Sequence, residues 1–172
     1  MLSRRVSLVV AGLLLAGLTG CTPTPAPTPT PTGFASEEEA FAAAEETYRS
    51  YTNELNAYYA GDLSYVSEQF LSGQALEDEQ AVLAEFEDSG LTVDGAVNIV
   101  SVEPVEAVAV ADAWSVKLMT CLDYSDTRIL NSEGEDVTPE RDESLALEVE
   151  LATSDDGLRI VRSSVAEHPS CE

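Results

Sequence analysis

Basic side chains are scarce in this chain of 172 residues: eight Lys and Arg and one His stand against 32 Asp and Glu, a formal charge of −24 at pH 7. A surface that displaces counterions from phosphates needs clustered Lys and Arg, so nucleic acid is excluded as a partner. Anionic lipid headgroups would be repelled in the same way. The acid excess serves solubility, and it ties stability to salt, because like charges repel within a Debye length of about 10 Å at 0.1 M. His168, in the tail beside Pro169, reads as an exposed residue rather than an enclosed general base. Also missing are Gly-x-Ser-x-Gly, His-Glu-x-x-His, Gly-x-Gly-x-x-Gly and any phosphate-binding loop. No catalytic residue, metal ligand or cofactor is assigned, and the expectation is that the chain is not an enzyme. Carboxylate pairs are so plentiful that a glycosidase spacing arises by chance. Asn131-Ser132-Glu133-Gly134-Glu135-Asp136 departs from an EF-hand calcium loop in its ligand types and reads as a solvated hairpin turn.

Long apolar runs are equally scarce. One exists, Val6 to Leu18 behind Arg4 and Arg5, and it is short for a spanning helix, which needs about 20 residues. A basic head, an apolar stretch and the small residues Gly17, Thr19 and Gly20 before Cys21 make an export signal. Leu18-Thr19-Gly20-Cys21 resembles the lipobox of bacterial lipoproteins. That resemblance implies a signal peptide at 1–20 and a mature chain starting at a Cys21 acylated with diacylglyceryl and fatty chains such as palmitate. It further implies attachment to the cell membrane, facing the extracytoplasmic side. Two or more acyl chains hold a protein stably on a bilayer, so the bilayer is the expected partner of Cys21. Cleavage removes Arg4 and Arg5, leaving six basic residues against 32 acidic ones, a formal charge of −26. Ser3-Arg4-Arg5-Val6-Ser7-Leu8 is similar to a twin-arginine export motif with serine and valine in place of the usual phenylalanine and lysine, which leaves the export route open.

With Cys21 acylated, Cys121 and Cys171 are the only thiols left, in a compartment that permits disulfides. They are predicted to bond, closing a loop of about 50 residues that stabilises by about 4 kcal/mol on the chain-entropy model and pins the C-terminal tail. Residues 21–33 form a linker in which proline alternates with threonine or alanine from Thr22 to Thr32. Proline fixes φ at every second position and removes amide donors, so this is a semi-rigid spacer reaching about 30 Å in polyproline II geometry.

Residues 34–172 carry one domain. Ser36-Glu37-Glu38-Glu39 is a capping-box pattern, and Phe41, Ala44, Tyr48, Tyr51, Leu55 and Tyr58 recur at helical spacing as far as Gly61-Asp62. A short second helix is expected to carry Leu63, Val66 and Phe70. A third is expected from Ser72-Gly73 to about Ser89, burying Leu76, Leu83 and Phe86 while its acids, Glu79 among them, mostly face water. After Gly90 the period turns to two. Leu91 to Val102 and Val105 to Val110, separated by Pro104, read as strands. In the next run Trp114, Val116, Leu118 and Leu122 share one face and Cys121 takes the other. Leu145 to Leu151 alternates again, Asp156-Gly157 supplies a hairpin turn, and Leu158, Ile160, Val161 and Val165 form a last strand whose slip at Ile160 and Val161 implies either a bulge or coverage of both faces.

Three N-terminal helices packed on a curved antiparallel sheet of three or four strands is the expected α+β architecture. With the Tyr-Ala-Gly-Asp-Leu turn at 59–63, that order resembles the cystatin-like cone of the nuclear transport factor two-like superfamily, whose enzymes use polar groups at the bottom of a cavity. The Cys-Leu-Asp-x-Ser segment at 121–125 is similar to small lipoproteins of high-GC Gram-positive bacteria. Tyr48, Tyr51, Tyr58 and Trp114 lie on faces expected to meet between helix and sheet, where they serve as core or, in an open cone, as pocket lining. The leading expectation is a lipid-anchored envelope protein displaying a non-catalytic interaction or scaffold domain to a protein partner. The alternative is a small-molecule binder using an apolar cavity, and an enzyme of that superfamily ranks last.

Overall fold

The computed structural model describes residues 33–168 and Cys171. The signal peptide expected at 1–20, the Cys21 expected to be lipidated and the expected linker through Thr32 lie outside the described residues. Among the described residues, no helix is long and apolar enough to cross a membrane.

Helix α1 spans Glu37–Tyr59. The Ser36 hydroxyl accepts from the Glu39 amide at 3.2 Å, and the Glu39 carboxylate accepts from the Ala35 amide at 2.8 Å, so the box closes one residue before the serine. Glu37, Glu38 and Glu39 in the first turn also suit the positive end of the helix dipole. Ala40, Ala44, Tyr48 and Thr52 are its buried stripe. Helix α2 spans Gly73–Ser89.

The expected architecture needs correction: among the described residues there are two α-helices, not three, they lie within residues 37–89, and the strands form two sheets. Residues 63–70 hold only a 3-10 turn at Ser67–Gln69, and Leu63 is 86% exposed. Leu63, Val66 and Phe70 have helical spacing, but Asp62 accepts from the Ser64 amide at 2.9 Å and sets a turn where a helix would have to start. Among the described residues the order of three helices and one sheet, which together with the turn at 59–63 carried the cystatin-like resemblance, is therefore absent.

Strands β1 (Thr92–Asp94) and β4 (Arg128–Leu130) form a two-stranded antiparallel sheet. Strands β2 (Asn98–Val110), β3 (Ala113–Asp123), β5 (Ser144–Ser154) and β6 (Gly157–Ala166) form the main sheet, all antiparallel, in the order β2-β3-β5-β6. Pro104 does not end β2. The strand passes through it with a register shift between Pro104 and Glu106, which an edge position tolerates because one side of the backbone needs no partner. On β6, Leu151 pairs with Ile160 and Glu150 with Arg162, so Val161 is the extra residue of a bulge. The edge of β6 is covered near that bulge by the segment leading into α2. The Ile160 amide donates to the Phe70 carbonyl and the Ser72 amide to the Ile160 carbonyl, both at 2.9 Å.

Period-two alternation builds the core face: Val116, Leu118, Thr120 and Leu122 of β3, Val149 and Leu151 of β5, and Leu158 and Ile160 of β6 are buried, with Ala40, Ala44 and Tyr48 of α1 in the same cluster. Buried Thr120 donates to the Tyr48 hydroxyl at 3.2 Å, which satisfies the one polar side chain on this stretch of the face. Asn56 fastens the last turn of α1 to the chain entering β2. Its amide accepts from the Val97 N–H and donates to the Val97 carbonyl, each at 2.9 Å. The opposite face of β3 carries Cys121, whose Cα lies 5.4 Å from that of Cys171 at disulfide distance.

Candidate functional site

A cavity of about 290 Å³ opens between the two helices and the core face of the main sheet. Helix α1 contributes Tyr48, Tyr51, Thr52, Leu55 and Tyr59, and α2 contributes Ala75, Asp78, Glu79, Val82 and Leu83. Its floor is made by Leu122, Leu147, Ile160 and Ser163, with Leu71, Val97 and Tyr124 closing the sides. The small side chains of Ala75 on α2 and Thr52 on α1 stand in its wall with four tyrosines, Tyr48, Tyr51, Tyr59 and Tyr124.

The most ordered polar feature is Glu79. Tyr51 donates to its Oε2 and Tyr65 to its Oε1, both at 2.6 Å, the length of phenol-to-carboxylate bonds. Among the described residues no Lys, Arg or His pairs with it. Burial, then the Glu79 charge, pushes the Tyr51 phenol far above its ordinary value of 10.0. The Tyr65 phenol rises for the same two reasons, burial first and then the bond to Glu79. Tyr48 and Tyr59 are each pushed up to about 12, in both cases mainly by burial. Tyr124 is raised by burial against the opposing pull of Arg141.

The sign for stability follows directly. A phenol whose folded pKa exceeds its unfolded value binds its proton more tightly in the native state, so its contribution is intact below pH 10 and is lost as pH climbs through the folded value. Between pH 10 and about 12, Tyr48 and Tyr59 should each remove about 1.4 kcal/mol of stability per pH unit. An alkaline titration followed by tyrosinate absorbance and circular dichroism should show these tyrosines ionising only as the domain unfolds. Smooth ionisation near pH 10 with the fold intact would contradict the burial assigned to them.

Tyr124 joins the cavity to a second, shallower cleft beside the 124–127 turn. Arg141 stacks its guanidinium 5.6 Å from the Tyr124 ring centroid. It also donates to the Thr127 hydroxyl and carbonyl and to the Tyr124 carbonyl. One cation thus fixes the wall residue from behind.

Of the four sequence-predicted pocket residues, Tyr48 and Tyr51 line the cavity and Tyr58 and Trp114 do not. Tyr58 instead packs on Tyr59 and Tyr65. Trp114 sits at the far end of β3 from Leu122, edge-on to Phe34 with ring centroids 6.2 Å apart. An α-helix advances 100° per residue, so Tyr59 lies only about 20° round from Tyr48 while Tyr58 lies about 80° away. Glu79, expected to face water, is half-buried in the cavity wall. The readable signal was its position four residues after Ala75 and four before Leu83, on the apolar stripe of α2. Tyr59, Tyr65 and Tyr124 were also missed. The acidic turn at 131–136 is self-contained: the Asn131 side-chain oxygen accepts from the amides of Glu133 and Glu135 at 3.0 and 2.9 Å. Among the described residues no group of three or more His, Cys, Asp and Glu is placed to hold a metal ion.

No protein-family model matches the chain, and no curated protein matches it. A solved structure does. The intermembrane space region of chloroplast protein ARC6 is similar to this chain with a TM-score of 0.54 and 18% identity, covering 72% of this chain and 94% of that one. At that identity the likeness is one of fold.

Proposed function

We propose that this chain is a lipid-anchored cell-envelope protein whose domain is a non-catalytic binding module for a small, largely apolar molecule. The observation that carries the reading is the open cavity of about 290 Å³ with phenol groups at its edges, since small-molecule sites are concave, apolar and marked by few oriented polar groups. Among the described residues no hydrogen bond engages the hydroxyl of Tyr59 or Tyr124, and both side chains line the cavity. The anchor rests on Leu18-Thr19-Gly20-Cys21 and the Pro-Thr spacer behind it.

The test of the cavity uses Val82, which is 51% exposed and lines it from α2. Val82→Trp should plug the opening without touching the buried core. The protein, incubated with a small-molecule extract of its own host and washed, should retain a compound that the Val82→Trp variant does not. Equal retention by both, or none by either, would overturn the reading. Cys21→Ala should release the protein from membranes and leave the precursor uncut, and unchanged fractionation of that variant would refute the anchor.

A protein partner is favoured by a different observation. Val100, Val105, Val108 and Val110 are exposed along edge strand β2. Pro104 and two register shifts interrupt the same strand, which discourages pairing by strand addition.

A further inference from the structure

The chemistry of the cavity goes further than its shape. Every ionisable side chain in its wall is either an acid or a phenol: Asp78 and Glu79 on one side, tyrosines on the others, and no Lys, Arg or His among the described lining residues. An anion entering would meet those carboxylates in a molecule whose formal charge is already −24. A neutral apolar ligand would leave the half-buried Glu79 carboxylate beside it with no opposite charge. A cation meets neither penalty.

Glu79 is also held in a way that suits a cation. The bonds from Tyr51 and Tyr65 use one acceptor direction on each carboxylate oxygen and fix the plane of the group. A carboxylate has about four such directions, so acceptor capacity remains for a ligand's donor. The two phenols come from different elements, α1 and the segment before the 3-10 turn, so the carboxylate is oriented before any ligand arrives. Four tyrosines line the same cavity: Tyr48 and Tyr51, with ring centroids 6.1 Å apart, together with Tyr59 and Tyr124. Aromatic faces carry negative quadrupole charge and attract ammonium groups.

Resting on the small-molecule reading above, we infer that the ligand class is an organic cation, an amine or quaternary ammonium with an apolar body, whose charged head sits against Glu79 between tyrosine rings. Leu122, Leu147 and Ile160 on the sheet would hold the body. The acid excess of the whole domain would raise the local concentration of such cations at the opening, in a salt-dependent way.

The experiment is a calorimetric titration of the full chain with three probes of one shape: phenethylammonium, neutral phenethyl alcohol and anionic hydrocinnamate. The ammonium should bind at least about tenfold more tightly than the alcohol, a charge-assisted bond plus a cation–π contact, and the carboxylate should not bind. Glu79→Gln keeps the shape and an acceptor for a tyrosine, so it should fold and should lose the preference for the ammonium while still taking the alcohol. Equal affinity for ammonium and alcohol in the natural protein would overturn the cationic class and leave the cavity reading standing. A preference unchanged in Glu79→Gln would overturn the role of that carboxylate, and binding of no probe would overturn both readings.

Discussion

Gly95→Ala should destabilise the domain by about 3 kcal/mol or more, and urea unfolding should show it either as a large fall in midpoint or as failure to fold. Gly95 lies between β1 and β2 with φ +95°, a conformation L side chains rarely adopt. A Cβ there would be driven into the Asp126 carbonyl oxygen and would approach its carbon to 2.9 Å and Thr127 Cα to 3.2 Å. All three atoms are backbone, and the 124–127 turn they belong to is clamped by Arg141, so nothing can move aside cheaply. The control is Gly134→Ala. That residue has φ +80° but open space around its Cβ position, so only backbone strain of about 1 kcal/mol is expected. Equal, small effects at the two glycines would contradict the close approach of the β1–β2 connection to the turn. Because Tyr124 stands on that turn and in the cavity wall, any folded Gly95→Ala protein should also bind ligand more weakly.

Reduction of the Cys121–Cys171 bond should cost about 4 kcal/mol, since the two positions are 50 residues apart in the chain. That corresponds to a fall in Tm of about 14 °C for a domain of this size. The double variant Cys121→Ser, Cys171→Ser should match the reduced natural protein and should be insensitive to reductant. A Tm unmoved by reduction would mean that the tail is already held by other contacts. Cys121 faces away from the cavity while its neighbour Leu122 lines it, so ligand binding should survive the loss of the bond below the new Tm.

How much of this was legible in the sequence depends on where a residue's environment is set. Alternation in β3 and β5 was readable because one face of each strand is buried against helix, and period two then records burial directly. The Cys121 orientation and the slip at Val161 came from the same reading. Residues 63–70 misled because three apolar residues at helical spacing do not nucleate a helix when Asp62 and Ser64 offer the backbone a turn. The pairing of β1 with β4 was invisible, since two three-residue strands whose paired residues lie 34 to 38 positions apart carry no periodicity. In the candidate site, local reading found Tyr48 and Tyr51 and then drifted to Tyr58, because alternating steps of three and four fall short of the true helical repeat over eleven residues. Glu79 sits in the sequence among acids that face water. Its partners, Tyr51 and Tyr65, lie 28 and 14 residues away, so only tertiary contact reveals them.

The cavity between α1, α2 and the main sheet is expected to be occupied in life. Native mass spectrometry of the full chain, extracted from its own host membranes in mild detergent, measures that directly. The expected result is a protein mass bearing acyl chains on Cys21 together with a second, dissociable mass of small-molecule size that is lost in Val82→Trp. A protein mass without any dissociable companion, under conditions where the fold is intact, would contradict it.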